Sequence, residues 1–335
     1  MNKNLNKTFI IAEMACSHEG NIDLAKKIID KAAEAKADAI QLQIWSLDNM
    51  MSPQRKEYKL LQNIQFTKEQ WTEIVSYSRK AHSGLKIYVC VYEHSTIDFI
   101  DSLKIDGYKL NSSDLSNPLV LDKVAAKKKP INLSVGASTI SEIENAIKRI
   151  RDISNSNITL MYGFQSFPTK PENVHMTFMN KLAEHFKLPI GYQDHCDADH
   201  DSGFWLPAAT LGMNISILEK HITHDRSKKG IDHESALNPL EFIKFVEMVR
   251  CIESAKGSSD IRPFTKEELR YREFQKKSIV VTKDMKEGSI LNLSDISFMR
   301  AEKLGYAPDK LEMIIGKKLL KDKSAFDAIH KDDVV

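Results

Sequence analysis

The stretch FIIAEMACSHEGNIDLAKKIIDKAAEAKADAIQLQIW (9–45) contains the unit from which the fold is predicted. It opens with a short apolar run at 9–13. Apolar residues then recur at helical spacing over 22–37, and a second apolar run occupies 39–45. Short apolar runs are typical of buried strands, and spacing of three to four residues is typical of an amphipathic helix. The stretch therefore predicts a strand, a helix and a second strand.

The same alternation continues along the chain. Eight apolar or β-branched runs recur: FIIAE (9–13), AIQLQIW (39–45), KIYVCVY (86–92), GYKL (107–110), INLSV (131–135), ITLMY (158–162), PIGYQ (189–193) and ISILEKH (215–221). Segments with helical spacing separate them, for example at 68–82, 141–153 and 172–186. Eight strand–helix units in roughly 250 residues predict a (β/α)8 TIM barrel, whose active site lies at the C-terminal ends of the strands. A doubly wound open sheet is the alternative.

The last part of the chain is predicted to be a separate domain. We place the barrel at 1–257, a polar linker at 258–276 and a small domain at 277–335. The run SIVVTKDMKEGSILNLSDISFMR (278–300) carries strand and turn signals. Segments 283–296 and 321–334 align weakly as an internal repeat.

Composition excludes several classes of protein. The 335 residues are 42% hydrophobic, which is enough for a full core, and the formal net charge is only +2. Lysines are scattered among nearly as many acids, which argues against a nucleic-acid partner. The four cysteines (Cys16, Cys90, Cys196 and Cys251) form no CxxC pair, so we expect a reducing cytoplasm and no disulfide framework. The chain shows no signal peptide and no run of about 20 apolar residues, so no membrane association is expected.

Two histidines at the ends of neighbouring predicted strands are candidate metal ligands. His195 follows the seventh strand and His221 ends the eighth. Two neutral imidazoles that leave water positions free suit a divalent Lewis acid that polarises a carbonyl. Glu13, at the end of the first strand, would face the same cup. The remaining histidines considered, His175, His185, His200 and His224, are interpreted as surface or packing residues.

Several segments carry a resemblance to a known family. The most specific is EKHITHDRSKKGIDHE (219–234), and it is joined by AEMACSHEGNIDLAKKIIDKAAEAKADAIQLQ, YKLNSSDLSNPLVL, FPTKPENVHM and GYQDH. From about Phe9 to the C-terminus the chain resembles the N-acetylneuraminate (sialic acid) synthases, including legionaminate and pseudaminate synthases. The resemblance implies condensation of phosphoenolpyruvate with an N-acylated amino hexose of the N-acetylmannosamine type. The products would be a nine-carbon 2-keto acid for surface glycans and phosphate.

The resemblance also implies roles for individual residues. His195 and His221 would hold Mn²⁺ or Mg²⁺, and Glu13 would orient the sugar and handle protons. The sugar side would be formed by Gln43, Asp114 and Asp232. The phosphoenolpyruvate side would be formed by Gln41, Lys109, Ser112 and Ser134.

Departures from the family pattern gather on the donor side. The family usually has lysine at Gln41, threonine at Cys90, a Cys-Thr pair near Gly163 and Phe164, and serine at Gln193. Asp114 is also one carbon shorter than the usual glutamate. A fixed positive charge and several hydroxyls are thereby lost, so the acceptor half of the reaction is better supported than the donor half.

The C-terminal domain resembles the antifreeze-like (SAF) domain of these synthases. The resemblance implies a domain-swapped homodimer in which Arg300 reaches the sugar N-acyl group of the partner's site, although Ala301 and Glu302 replace the Pro and Gly of the family motif. Two other hypotheses stay open. One is a metal-dependent aldolase or synthase with a different three-carbon donor, and the other is a catalytically degenerate sugar-binding homologue.

Overall fold

The computed structural model describes residues 7–258 and 260–335 and divides the chain into two compact units, Met1–Ser258 and Ser259–Val335. Each unit is described by itself below. Among the described residues, no helix is long and apolar enough to cross a bilayer.

The first unit is a closed barrel of eight parallel strands. The strands are β1 (Phe9–Glu13), β2 (Ala39–Ile44), β3 (Lys86–Val91), β4 (Gly107–Leu110), β5 (Ile131–Ser134), β6 (Ile158–Tyr162), β7 (Ile190–Asp194) and β8 (Ile217–His221). Each strand pairs with the next, and β8 pairs in parallel with β1. This closure confirms the predicted barrel. The alternative of a doubly wound open sheet is wrong, because such a sheet has two free edges.

Ten helices accompany these strands within the described part of the first unit. They are α1 (Ile22–Glu34), α2 (Leu47–Met50), α3 (Tyr58–Ile64), α4 (Lys68–Ala81), α5 (Ile97–Ser102), α6 (Pro118–Ala126), α7 (Ile140–Ile153), α8 (Thr177–Phe186), α9 (Ser202–Leu211) and α10 (Pro239–Lys256). Local sequence sets several of their starts. Thr67 and Gln70 form a capping box at α4, and Thr139 and Glu142 form another at α7. Each box satisfies backbone N–H groups that the first turn leaves unpaired.

The strands separate two kinds of side chain. Along β1, Ile10 and Ala12 belong to the large core, whereas Ile11 belongs to a small cluster with Ala39 and Met161. Since side chains alternate between the two faces of a strand, Ile11 and Glu13 share the inner face of the barrel. The inner face is therefore apolar low in the barrel and polar at the C-terminal ends of the strands.

The second unit has its own small core and a short sheet. It contains α11 (Lys266–Gln275), followed by β9 (Ser278–Val281) paired antiparallel with β10 (Ile296–Met299). Its core cluster is formed by Ile279, Val281, Met285, Leu291, Ile296, Ile314, Leu319, Ile329 and Val334. The helix α11 falls within 258–276, the stretch interpreted from sequence as a linker. A capping box between Thr265 and Glu268 starts it.

Candidate functional site

A cavity of about 220 Å³ opens at the C-terminal ends of the strands. Its lining is mostly polar and comes from every strand of the barrel except β6, with further residues from the loops after β6 and β8. The lining residues are Glu13, Gln43, Cys90, Tyr92, Lys109, Asn111, Ser134, Gln165, Phe167, Gln193, His195, Glu219, His221 and Asp232. We call this cavity the cup.

Strand register explains why these side chains meet. Glu13 on β1 pairs with Gln41 on β2 on one side and with His221 on β8 on the other. Gln193 on β7 pairs with Glu219 on β8. Because inward-facing residues alternate along a strand, Glu219 and His221 both face the interior, whereas Lys220 between them faces outward.

Glu13 is buried and surrounded by amide donors. Its carboxylate accepts hydrogen bonds from the side-chain amides of Gln41 and Gln43 (3.1 Å for Gln43) and from the backbone N–H of Ala15 at 2.6 Å. Burial, followed by the nearby carboxylate of Glu219, raises its pKa to about 8. The raised pKa favours the protonated form of Glu13 near neutral pH, and Glu13 faces the cavity, as a general acid requires.

Lys109 and Glu219 form a buried ion pair at the base of the cup. Burial alone would lower the pKa of Lys109, but the carboxylate of Glu219 raises it, so the ammonium is charged. The second carboxylate oxygen of Glu219 is buried without a hydrogen-bond partner. The ammonium of Lys109 is therefore already paired with a carboxylate of the same chain.

His195 and His221 lie side by side, with ring centroids 5.5 Å apart. Nδ1 of His195 donates to the carbonyl oxygen of Phe164 at 2.9 Å, which leaves Nε2 as the free lone pair. Nδ1 of His221 is buried without a hydrogen bond. Burial lowers the pKa of His195 to about 4, and burial together with His195 holds that of His221 well below its ordinary value.

These features fit a divalent metal ion. Both imidazoles are neutral, which is the ligating form, and His195 is oriented through its other nitrogen by a carbonyl. The ring of Phe167 covers His195 with a centroid separation of 4.4 Å. Behind the strands, the fully buried Lys220 donates to Asp194 at 2.5 Å, so an ion pair joins the residues that directly precede the two histidines.

The remaining residues predicted from sequence divide into two groups. Gln43, Ser134 and Asp232 line the cup. Burial raises the pKa of Asp232 to about 6. Gln41 and Ser112 do not line it. Gln41 is fully buried and faces Glu13, Ser112 lies in a short 3-10 turn, and Arg300 is an exposed residue of the second unit.

Asp114 also lies outside the cup lining. Its carboxylate accepts a hydrogen bond from the amide of Asn117 at 2.8 Å and another from the hydroxyl of Ser113 at 3.2 Å. Burial raises its pKa.

At the positions that the resemblance assigns to the donor, side chains of the chain itself pair with one another. The amide of Gln193 donates to the hydroxyl of Ser134 at 2.9 Å, and that hydroxyl lies 3.2 Å from the Gln193 carbonyl oxygen. At Gly163, a Cβ would lie 2.3 Å from the backbone oxygen of Gln193. No side chain fits there in this conformation, so the departures at positions 163 and 193 belong to one packing arrangement.

Sequence reasoning left several cup residues out of the proposed site. The end of the eighth strand also places Glu219 and Lys220 at the cup from sequence, without a role for either. Glu219 lines the cup, whereas Lys220 faces outward because adjacent residues of a strand point to opposite faces. Phe167 and Gln165 come from an irregular loop with no periodic signal. Asn111 is placed at the cup by the end of the fourth strand and lines it, whereas Tyr92 follows a strand end and carries no distinguishing chemistry.

A second group of potential ligands lies outside the cup lining. Glu19, His224 and His233 each place one ligand atom within 4.8 Å of the others. His224, which was interpreted from sequence as a surface or packing residue, is half-buried and belongs to this cluster.

Comparison with known proteins identifies the family. A sequence profile of the NeuB family matches residues 28–260. An uncharacterized protein of Methanocaldococcus jannaschii is 30% identical over 98% of this chain and 95% of its own length. The N,N'-diacetyllegionaminic acid synthase of Legionella pneumophila is 28% identical over 95% and 92%, respectively.

A solved structure gives the same result. The N-acetylneuraminic acid synthetase of Leptospira borgpetersenii, crystallised with citrate, superposes with a TM-score of 0.73 at 27% identity, covering 80% of this chain and 92% of that one. With a profile match over more than half of its length and relatives along nearly all of it, this chain belongs to the NeuB family, whose named relatives here are sialic-acid-type synthases.

Proposed function

We propose that this chain joins phosphoenolpyruvate to the open-chain aldehyde of an N-acylated amino hexose, giving a nine-carbon 2-keto acid and phosphate. The observation that carries the proposal is the pair of imidazoles, His195 and His221, which lie side by side in one cup with Glu13. A Mn²⁺ or Mg²⁺ ion held by the two histidines would polarise the aldehyde carbonyl. The class of reaction is C–C bond formation, as for the sialic-acid-type synthases among its relatives.

Other residues of the cup would transfer the proton and bind the two substrates. As C3 of the enol attacks the aldehyde carbon, the aldehyde oxygen gains negative charge, and the proton held by Glu13 is available to it. Asp232 and Gln43, at the rim of the same cup, would accept and donate hydrogen bonds to sugar hydroxyls. Lys109 would contact the anionic donor, and water would add at C2 as phosphate departs.

A second candidate function follows from the donor side. Lys109 is paired with Glu219, Gln41 with Glu13, and Ser134 with Gln193. A trianionic donor would have to displace these internal partners, whereas an uncharged or monoanionic three-carbon donor would not. The alternative is therefore a metal-dependent aldolase or synthase that uses a donor without phosphate.

We further propose that the second unit is an antifreeze-like (SAF) domain and that two chains swap it in a cytoplasmic homodimer. Arg300 is exposed, and so are the apolar side chains Leu293, Phe298 and Met299 of the same unit, which a partner would cover. A monomer in sedimentation equilibrium at micromolar concentration would refute this assembly.

The function is tested by product analysis. Full-length protein loaded with Mn²⁺ is incubated with phosphoenolpyruvate and a panel of 2-acetamido and 2,4-diacetamido hexoses, and phosphate release is measured alongside product mass. We expect phosphate and a nine-carbon keto acid in equal amounts with at least one acceptor. The same product from pyruvate, with none from phosphoenolpyruvate, would favour the second candidate. Binding of a hexose without any product would indicate a degenerate homologue.

A further inference from the structure

The cluster of Glu19, His224 and His233 joins the loop after β1 to the loop after β8. Oε1 of Glu19 lies 3.8 Å from Nε2 of His233, and the two imidazole centroids are 5.8 Å apart. The two histidines lie on one loop and the glutamate on another, so the group exists only in the folded barrel. Neither His195 nor His221 belongs to this cluster.

Two further observations indicate that the cluster takes a ligand. His233 is fully buried. Its Nε2 shares a hydrogen bond with the hydroxyl of Thr223 at 3.1 Å, whereas its Nδ1 has no hydrogen-bond partner, and Nδ1 of His224 is likewise buried and unpaired. A buried polar atom without a hydrogen-bond partner lowers stability, so each unpaired Nδ1 is a candidate for a ligand.

Gly230 leaves open the space beside the His233 ring and the Glu19 carboxylate. A Cβ at this position would lie 2.8 Å from Nε2 of His233 and 3.2 Å from Oε1 of Glu19. The φ of Gly230 is not positive, so backbone conformation does not require glycine here. What the glycine provides is room next to the cluster.

We propose that Glu19, His224 and His233 form a second divalent metal site, of the zinc class, separate from the His195–His221 pair. Two imidazoles and one carboxylate with a remaining water position are a known donor set for zinc. In a tetrahedral site with bonds of about 2.1 Å, the ligand atoms are roughly 3.4 Å apart. The ligand atoms now lie within 4.8 Å of one another, and the exposed side chain of Glu19 can move to shorten its distances to the two imidazoles.

The site would also order the rim of the cup. Asp232 directly precedes His233, lines the cup and has a left-handed φ of 64°. Fixing the imidazole of His233 to Glu19 on the other loop would hold Asp232 in this uncommon conformation. The proposal does not depend on which donor the enzyme uses.

Metal stoichiometry tests the site on the full-length protein. Chelator-treated protein is titrated with Zn²⁺ and, separately, with Co²⁺, whose absorption reports imidazole and carboxylate ligation. The variants are His224→Ala, Glu19→Gln and Gly230→Ala, with His221→Ala for the other site and the exposed His185→Ala as control. We expect about two tight equivalents in the wild type and the control, and about one in each of the other variants.

The outcomes separate this site from the one in the cup. A different result would be a wild type that binds a single equivalent, which is lost in Glu19→Gln and Gly230→Ala and kept in His221→Ala. That result would support the second site and would remove the metal role assigned to the cup. A wild-type stoichiometry retained by both Glu19→Gln and Gly230→Ala would overturn the proposal. So would a single wild-type equivalent lost only in His221→Ala. Glu19→Gln changes an exposed side chain, so misfolding of His224→Ala would leave the test intact.

Discussion

Lys109 on β4 and Glu219 on β8 form an ion pair across the barrel, with side chains only 9% and 1% exposed. These strands lie on opposite sides of the closed sheet, so the pair spans the base of the cup. Both charges act on the pKa of Glu13: the carboxylate of Glu219 raises it and the ammonium of Lys109 lowers it. The ionic state of the cup is thus set by three groups acting together.

Removing one member of the pair should destabilise the first unit. Lys109→Met or Glu219→Gln leaves a buried charge without its partner, a loss of about 3 to 5 kcal/mol of unfolding free energy. The double variant should lose less unfolding free energy than the two single variants together, because neither buried charge remains. Urea denaturation of the four proteins measures this, with Lys148→Met from the exposed Lys148–Asp152 pair as a control expected to lose under about 1 kcal/mol. Additive single losses would show that the two side chains are not coupled.

The raised pKa of Glu13 predicts a particular dependence of stability on pH. Its pKa is about 8 in the folded chain against an ordinary 4.5, so between these values the folded state holds a proton that the unfolded state releases. The free energy of unfolding should therefore fall as pH rises through this window, by up to about 1.4 kcal/mol per pH unit from this group. The contribution is fully present below pH 4.5 and lost above about 8.

Glu13→Gln should remove that slope. The difference in unfolding free energy between wild type and variant is measured from pH 5 to pH 9, with Glu34→Gln on the exposed end of α1 as a control that follows the wild type. Parallel curves for wild type and Glu13→Gln would mean that Glu13 is ionised throughout.

Gln41→Lys tests the donor. The added ammonium would face Glu13 and shift its pKa downward, and it would offer a charge-assisted contact to a bound phosphate. If the donor is phosphoenolpyruvate, its dissociation constant should fall by about tenfold to a hundredfold. Donor affinity by calorimetry at fixed Mn²⁺ decides, with Gln41→Met as the uncharged control. No tightening, with unchanged binding of pyruvate, would favour a donor without phosphate.

Gln193→Ser should release the hydroxyl of Ser134. In the wild type, the amide of Gln193 is hydrogen-bonded to this hydroxyl. A hydrogen bond between the freed hydroxyl and the three-carbon substrate would contribute about 0.5 to 1.5 kcal/mol, or roughly twofold to tenfold in affinity. The gain should vanish in Ser134→Ala/Gln193→Ser, which lacks the hydroxyl. A gain that persists in this double variant would assign the effect to the space vacated by Gln193.

The periodicity of apolar residues predicts most strands and helices of the barrel, but it predicts their first and last residues less well. The predicted strand 215–221 begins two residues later in the structure, at Ile217, and the predicted helix 172–186 is a 3-10 turn at Pro171–Asn173 followed by α8. His175 has a positive φ of 48°, which interrupts the helix between them. Val174, Phe178 and Leu182 keep a spacing of four residues across His175, so the apolar pattern carries no signal of the break.

The site was less accessible to sequence than the strands. Strand ends pointed to Glu13, His195 and His221, because the closed barrel brings all such positions to one end. The partnership of Lys109 with Glu219 spans 110 positions of sequence and depends on barrel closure. The grouping of His224 with Glu19 likewise depends on two loops whose course no periodic pattern encodes.

The central claim is that His195 and His221 hold the ion on which turnover depends. The direct measurement is bound Mn²⁺ and product formation, in parallel, for His195→Ala, His221→Ala and the exposed control His185→Ala, after circular dichroism has shown that each is folded. The account predicts that both cup variants lose Mn²⁺ from the cup and lose turnover, while the control keeps both. Turnover at the wild-type rate in His195→Ala or His221→Ala would contradict it.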